Sequence, residues 1–347
     1  MSENKNIAWF RNAKYGLFIH FGIYSVLEGS YHGERSGNYA EWIWSKLKVA
    51  NREVERIAKT AFQPMYFDAE EWVLFAKECG MEYIILTAKH HEGFALYHSK
   101  ADPYNVVDFT PFGRDILAEL AAACRKYQLR LGIYYSQDLD WHEEHGGGYT
   151  WNHIPCEGVS FSNTWDFGWD SSDKNYDICF RKKILPQVKE LMTGYGDISL
   201  VWFDVPATIN PVQSRELYDT VKALQPDCLV SSRIGNGMYD FYSFDDNEIP
   251  NTISATVLEE NNRDGANGLT PAHTGLFESA CTLQNSWGYC AWDTNWKSPE
   301  TILRNKQKLN SLGINYTINI GPDHLGRFPV QALETLRAVR QLEGAQN

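Results

Sequence analysis

No stretch of this chain is apolar for long enough to cross a bilayer, and its first residues, MSENKNIAWFRNAKYG, lack the apolar core of a secretory signal. A membrane span and export by the usual signal are therefore not expected, and the expected location is the cytoplasm. Cysteine is scarce: Cys79, Cys124, Cys156, Cys179, Cys228, Cys281 and Cys290 make an odd number with no C-x-x-C pair. Neither a complete disulfide framework nor a zinc ribbon fits, so reduced, mostly buried thiols are expected. Positive charge is also in deficit. With 32 Lys and Arg against 44 Asp and Glu the net charge is -12, which repels a nucleic-acid backbone on average. Pro/Ser/Gly-rich hinges, low-complexity tracts and sequence repeats are missing as well, so residues 1–347 are read as one domain.

What is present is apolar and flat. Hydrophobic residues make up 43% and charged residues 22%, as in a soluble globular protein. Twelve Trp and nineteen Tyr exceed the needs of a core, and such rings often line clefts for sugars or other ring-shaped ligands. Strand-like and helical runs alternate: YGLFIHFG (15–22), AEEWVLFAKECG (69–80), YIILTAKHH (83–91), RDILAELAAACRKYQ (114–128), LRLGIYYS (129–136), FRKKILPQVKELMTGYG (180–196) and ISLVWFD (198–204). SRELYDTVKALQP and CLVSSR repeat the unit. TGLFES (274–279), a helix over 299–312, INYTINIG (314–321) and a helix over 330–342 follow. Near-continuous apolar strands in about seven or eight βα units predict a parallel (β/α)8-like barrel. The segment 146–170 has no periodicity and is read as a large loop over one mouth.

In such a barrel the chemistry sits where strands end. Those positions carry His20; Lys89, His90 and His91; Tyr134, Tyr135, Ser136, Asp138 and Asp140; Asp204; and Arg233, with Asp245, Asp246, Glu248 and Glu278 following. Each has an ordinary explanation taken alone. Asp204 before Val-Pro suits a turn, Glu41-Trp42 suits helix surface beside core, and SWGY (286–289) suits a turn. DLDWHEEH (138–145) resembles loose metal ligation through Asp138, His142 and His145 but lacks the spacing of H-E-x-x-H. Carboxylates on separate strand ends are what glycoside hydrolysis needs, a nucleophile or base and a proton donor. They would equally serve a barrel hydrolase acting on another polar substrate.

The stretches FIHFGIYSV, NYAEWIW, TAKHHEGFALYHSK, RDILAEL, LGIYYSQDLDW, VWFD, ESACTLQNSWGY and INYTINIGPDHLGRFP resemble, in order, the retaining α-L-fucosidases of glycoside hydrolase family 29. The stretches GSYHGERSGNYAEW (29–42) and DNEIP (246–250) look most like small single-domain bacterial members that cleave α-1,6-linked core fucose. The resemblance implies a single catalytic barrel without the C-terminal β-sandwich of larger members. It implies Asp204 as nucleophile and Asp246 as acid/base, with Glu278 the alternative. It puts His20, Glu41, Trp42, His90, His91 and Tyr135 on the fucose hydroxyls, with Trp202, Arg233 and Trp287 nearby. No cofactor or metal is implied, and the partner is a fucosylated glycan. Retention calls for carboxyls about 5 to 5.5 Å apart with separated pKa values, Arg233 supplying the difference. Phe21 stands where the family usually has Trp, and Val205-Pro206 where it usually has Gly after the nucleophile. Three rivals remain: a glycan-binding barrel without catalysis, an α-1,3/1,4-directed fucosidase, and a metal-dependent hydrolase. A homo-oligomer is admitted.

Overall fold

The computed structural model describes residues 4–151, 154–155, 161–167, 173–254 and 275–346. Eight strands form its frame: β1 (Tyr15–Ile19), β2 (Tyr83–Lys89), β3 (Arg130–Tyr135), β4 (Leu200–Phe203), β5 (Leu229–Val230), β6 (Tyr242–Ser243), β7 (Phe277–Thr282) and β8 (Ile314–Ile320). They pair in parallel in the order β6-β7-β8-β1-β2-β3-β4-β5. The two ends of that order meet at a parallel bridge between Ser231 and Phe241, where the Ser232 N–H donates to the Phe241 carbonyl at 2.9 Å. The predicted barrel is thus observed. β1, β2, β4 and β8 are buried along their whole length, as strands covered on both faces must be.

The covering helices are α1 (Lys5–Ala13), α2 (Asn51–Ala61), α3 (Ala69–Glu78), α4 (Ile116–Tyr127), α5 (Leu185–Gly194), α6 (Pro211–Leu224), α7 (Pro299–Ser311) and α8 (Val330–Gln346). Their starts are written in short polar residues. Asp68 accepts from the N–H groups of Glu70 and Glu71, and Asp115 from that of Ala118. Asn210 forms a reciprocal capping box with Gln213 ahead of Pro211. α1 closes the bottom of the barrel, where Phe10 packs on Phe241 with ring centroids 4.9 Å apart. The rings and aliphatic groups of Phe18, Tyr83, Ile85, Tyr134, Leu200 and Trp202 fill the interior above it.

Two departures from the expected pattern have local causes. The helix predicted over 180–196 begins at Tyr176 and widens into a π turn over Phe180–Ile184 before α5. Pro186 lies just beyond; its ring would crowd the carbonyl four residues back, and a wider turn removes that clash. Between β5 and β6 only the 3-10 turn Ser232–Ile234 stands where a helix would be. Gly235, Asn236 and Gly237 take positive φ angles of 86°, 57° and 73° there, which stops helical propagation. The loop 146–170 is described in part, including a hairpin of Thr150–Trp151 with Ile154–Pro155. Cys156 lies outside the described residues, and the other six cysteines are buried free thiols. No described helix is long and apolar enough to cross a membrane.

Candidate active site

At the C-terminal ends of the strands lies a cavity of about 410 Å³. It receives His20, Glu41, Trp42, His90, His91, Trp202, Asp204, Arg233, Asp246 and Trp287, ten of the twelve residues the sequence nominates, and the aromatic content gives it an apolar floor. That floor is a stack continued across successive strands. The His90 and Tyr134 rings lie 5.2 Å apart at 13°, Tyr134 and Trp202 lie 5.6 Å apart at 21°, and the Arg233 guanidinium covers Trp202 at 4.9 Å. Phe18 meets Trp202 edge-on from β1, and Trp287, in the loop after β7, meets Phe18 edge-on in turn.

Asp204 follows the last residue of β4 and is 9% exposed. Its Oδ2 accepts from the Tyr134 hydroxyl at 2.8 Å, and its Oδ1 accepts from Arg233 at 3.2 Å and from the Val205 N–H at 3.0 Å. Its own N–H donates to Gln137 at 2.8 Å, so both backbone and carboxylate are held. Val205 occupies the left-handed region at φ 47°, a conformation costly for a β-branched residue, with a typical penalty of about 1–3 kcal/mol. Glycine would take this conformation without the penalty. The strain keeps the Val205 N–H on the carboxylate and turns its side chain into an apolar cluster with Leu139, Ala207, Trp42, Trp151 and Phe161.

Asp246 accepts from Arg233 Nη2 at 3.2 Å through Oδ1 and from the Trp287 indole at 3.1 Å through Oδ2. One guanidinium thus ties the two carboxylates together, with Nη1 on Asp204 and Nη2 on Asp246. Arg233 thus touches both carboxylates alike, at 3.2 Å each, instead of favouring one as expected; the Asp204 side chain is 12% exposed and that of Asp246 36%. Glu41 is fully buried, with Oε2 accepting from the Gly288 N–H at 2.9 Å and the Ser286 hydroxyl at 3.2 Å. A Cβ at Gly288 would lie 2.9 Å from the Tyr24 ring, so only glycine lets that N–H approach. Burial, partly offset by those hydrogen bonds, pushes the Glu41 carboxyl up to about 7, and Oε1 has no partner among the described residues.

His20 and His91 are neutral, because burial first, and then neighbouring imidazoles, lower both pKa values well below the usual range. Their tautomers follow from their partners. His20 Nδ1 lies 2.7 Å from the Asn319 amide oxygen, whose orientation is fixed by the amide nitrogen donating to the Trp287 carbonyl at 2.7 Å. His91 Nδ1 lies 2.7 Å from Ser136 Oγ, and that hydroxyl donates to the Leu139 carbonyl at 2.8 Å. Both histidines therefore carry their proton on Nδ1 and offer a bare Nε2.

Two nominated residues are placed elsewhere. Tyr135 faces the helix layer, donating to Gln187 at 2.8 Å, and its neighbour Tyr134 takes the pocket position because adjacent strand residues point to opposite sides. Glu278 is the second residue of β7, not its last, so it sits deep in the barrel. Its Oε2 accepts from the Trp202 indole at 2.8 Å and from Ser243 at 3.0 Å, and it does not line the cavity, which removes it as an acid/base. The adjacent His90 and His91 both reach the cavity because they lie past the end of β2. Asp138, His142 and His145 diverge. Asp138 accepts from the N–H groups of Thr208 and Ile209, His142 stacks on Tyr104 beside Glu55, and His145 accepts from the Asn175 N–H. Sequence reasoning placed Tyr134 at a strand end without assigning it to the pocket, and it missed Tyr39, Lys46, Trp151 and Phe161; these four lie in loops, a short hairpin or a helical turn whose path over the mouth no local pattern reveals.

Carboxylates joined over an aromatic floor at the mouth of a parallel barrel suit one class of enzyme, the glycoside hydrolases. The α-L-fucosidase family model matches residues 1–342, and the chain belongs to that family. It is 25% identical to the α-L-fucosidase of Dictyostelium discoideum over 94% of this chain and 68% of that one. With the plasma α-L-fucosidase of Homo sapiens it shares 28% over 95% of this chain and 66% of that one, so it spans about two thirds of these relatives. Among solved structures, unliganded α-L-fucosidase AlfC from Lactobacillus casei is 52% identical, with 99% of each chain covered and a TM-score of 0.90. An alanine-substituted variant of AlfC in complex with Fuca(1,6)GlcNAc matches over the same shares with a TM-score of 0.89. The protein has α-L-fucosidase activity on this evidence.

Proposed function

We propose that the cavity seats a terminal α-L-fucosyl group with its methyl on the aromatic floor, and that hydrolysis runs by double displacement with retention. The single guanidinium joining Asp204 to Asp246 carries this reading, since it holds two carboxyl groups at one mouth in unlike surroundings. Asp204 attacks the anomeric carbon as the glycosidic C–O bond breaks, and Asp246 gives its proton to the departing oxygen. Asp246, now the carboxylate, takes a proton from water as that water attacks the same carbon and frees Asp204. Another sugar hydroxyl in place of water would give transfer. The bare Nε2 atoms of His20 and His91 and the free Oε1 of Glu41 accept from fucose hydroxyls.

The preferred linkage is α-1,6 to N-acetylglucosamine. An α-1,6 bond carries one more rotatable bond than linkages to ring hydroxyls, which suits a proton donor at the exposed rim. The likeness to AlfC, solved with Fuca(1,6)GlcNAc, supports the same choice. Incubation with α-1,2, α-1,3, α-1,4 and α-1,6 fucosyl disaccharides, followed by proton NMR, tests both parts. Fastest release from the α-1,6 disaccharide as the α anomer is expected. First appearance of the β anomer overturns retention, and faster release from an α-1,3 or α-1,4 disaccharide overturns the linkage.

A further inference from the structure

His90 differs from the two histidines beside it. Its ring is fixed by the stack on Tyr134 and by Tyr24 at 5.6 Å, His20 at 5.7 Å and His91 at 4.1 Å, so it does not turn to seek partners. Its Nδ1 is buried and without a partner among the described residues. The polar atom facing it is Glu92 Oε2 at 3.6 Å, which is also buried and without a partner. Two orphaned atoms facing each other across this distance need one proton between them, since unmet polar groups in a dry interior are costly.

We infer that Glu92 is a positioning residue whose carboxylic acid donates Oε2–H to His90 Nδ1, so that His90 presents Nε2–H to the cavity as a donor. The three histidines then have complementary senses, with His20 and His91 accepting and His90 donating. A sugar hydroxyl both donates and accepts, so a mixed set grips neighbouring hydroxyls where three acceptors would leave oxygen lone pairs unmet. The inference rests on the reading that the cavity holds the fucosyl ring.

The setting of Glu92 keeps it an acid. Burial pushes its pKa up to about 8, against the opposing pull of backbone N–H groups of Glu92 itself and Ile23 and of the Lys89 ammonium. Lys89 is tied to Asp140 at 3.0 Å, and Asp140 pushes Glu92 further up. The remaining groups around it are His90 and the phenols of Tyr24, Tyr104 and Tyr134, all neutral near pH 7. Burial, then Lys89, lower His90 to about 3, so it is neutral with one N–H to place. Above about pH 8 the sense reverses. Glu92 loses its proton to solvent, its carboxylate accepts from Nδ1–H, and the imidazole proton leaves Nε2, which becomes bare.

Kinetics with 4-nitrophenyl α-L-fucoside from pH 5 to 10 and nitrogen-15 NMR of labelled histidine test this on the full chain. Beyond any change in KM as Glu41 titrates near pH 7, the wild-type KM should rise roughly tenfold above about pH 8, the worth of one neutral hydrogen bond, with kcat moving less. Glu92→Gln, whose amide donates at every pH, should keep KM within a few-fold at pH 7 and lose the alkaline rise. Glu92→Leu should carry the raised KM at every pH. An alkaline rise that persists with the same midpoint in Glu92→Gln, or a wild-type KM in Glu92→Leu, overturns the inference. Should Glu92→Leu fail to fold, the NMR decides: His90 protonated on Nε2 at pH 7 supports it, and on Nδ1 sinks it. A wild-type protein that turns over no α-L-fucoside would defeat the reading of the cavity and leave the NMR arm intact.

Discussion

Two charged clusters lie side by side behind the mouth of this barrel, with opposite fates. In one, Asp140 takes Lys89 and Lys183 at 3.0 Å each, and Lys183 also takes Asp102 at 2.6 Å, with the side chains of Lys89, Lys183 and Asp140 0% exposed. Burial pushes the Asp140 carboxyl up, but the two ammonium groups prevail and hold it well below the usual range. In the other, Arg233 joins Asp204 to Asp246, and all three line the cavity. The closed cluster ties the loop after β3 to the π turn before α5. The open one can meet a substrate. A reactive site is marked by charges that reach a cavity, not by how many are gathered.

Substitutions can break this contrast. Asp204→Ala should lower kcat/KM on 4-nitrophenyl α-L-fucoside by about 10⁴-fold or more while thermal unfolding shifts little, since it removes the proposed nucleophile. A near-normal rate ends that assignment. Asp140→Ala should do the reverse, costing about 3–5 kcal/mol in denaturant unfolding because two buried ammonium groups lose their partner. The kcat of the folded fraction should stay near that of the wild type; a selective loss of turnover would merge the two clusters into one machine. Asp246→Ala should cost about 10²- to 10³-fold on a fucosyl disaccharide and far less on the nitrophenyl substrate, whose leaving group needs no proton. Equal losses on both would remove Asp246 as the acid. The smallest contrast pairs neighbours. Tyr134→Phe should slow turnover roughly tenfold by removing a hydrogen bond to Asp204, whereas Tyr135→Phe should cost about 1 kcal/mol of stability through Gln187 and leave turnover alone.

The barrel was legible because its strands are apolar runs between amphipathic helices, and most of the mouth because strand ends can be read from where those runs stop. Asp204 and His20 come directly from that reading. Tyr134 and Tyr135 do not, because RLGIYY is buried at all but its first residue and carries no alternation to tell inside from outside. Glu278 was misjudged by depth. TGLFES reads as a strand ending near 279, whereas β7 runs to Thr282 and leaves the glutamate a full layer below the mouth. The closed cluster was indistinguishable from the open one: Lys89 and Asp140 stand among the strand-end residues beside Asp204, and only the π turn that delivers Lys183 separates their roles.

The stacked planes from His90 through Tyr134 and Trp202 to Arg233 are contributed by four consecutive strands, each resting on the next. A change in one plane must be matched by its neighbours, so the platform alters as a unit or not at all. The hairpin bearing Trp151 and the loop bearing Phe161 pack instead with Trp42, Leu139 and Val205 at the edge of the cavity. A substitution in either would reshape the rim of the cavity without disturbing those planes.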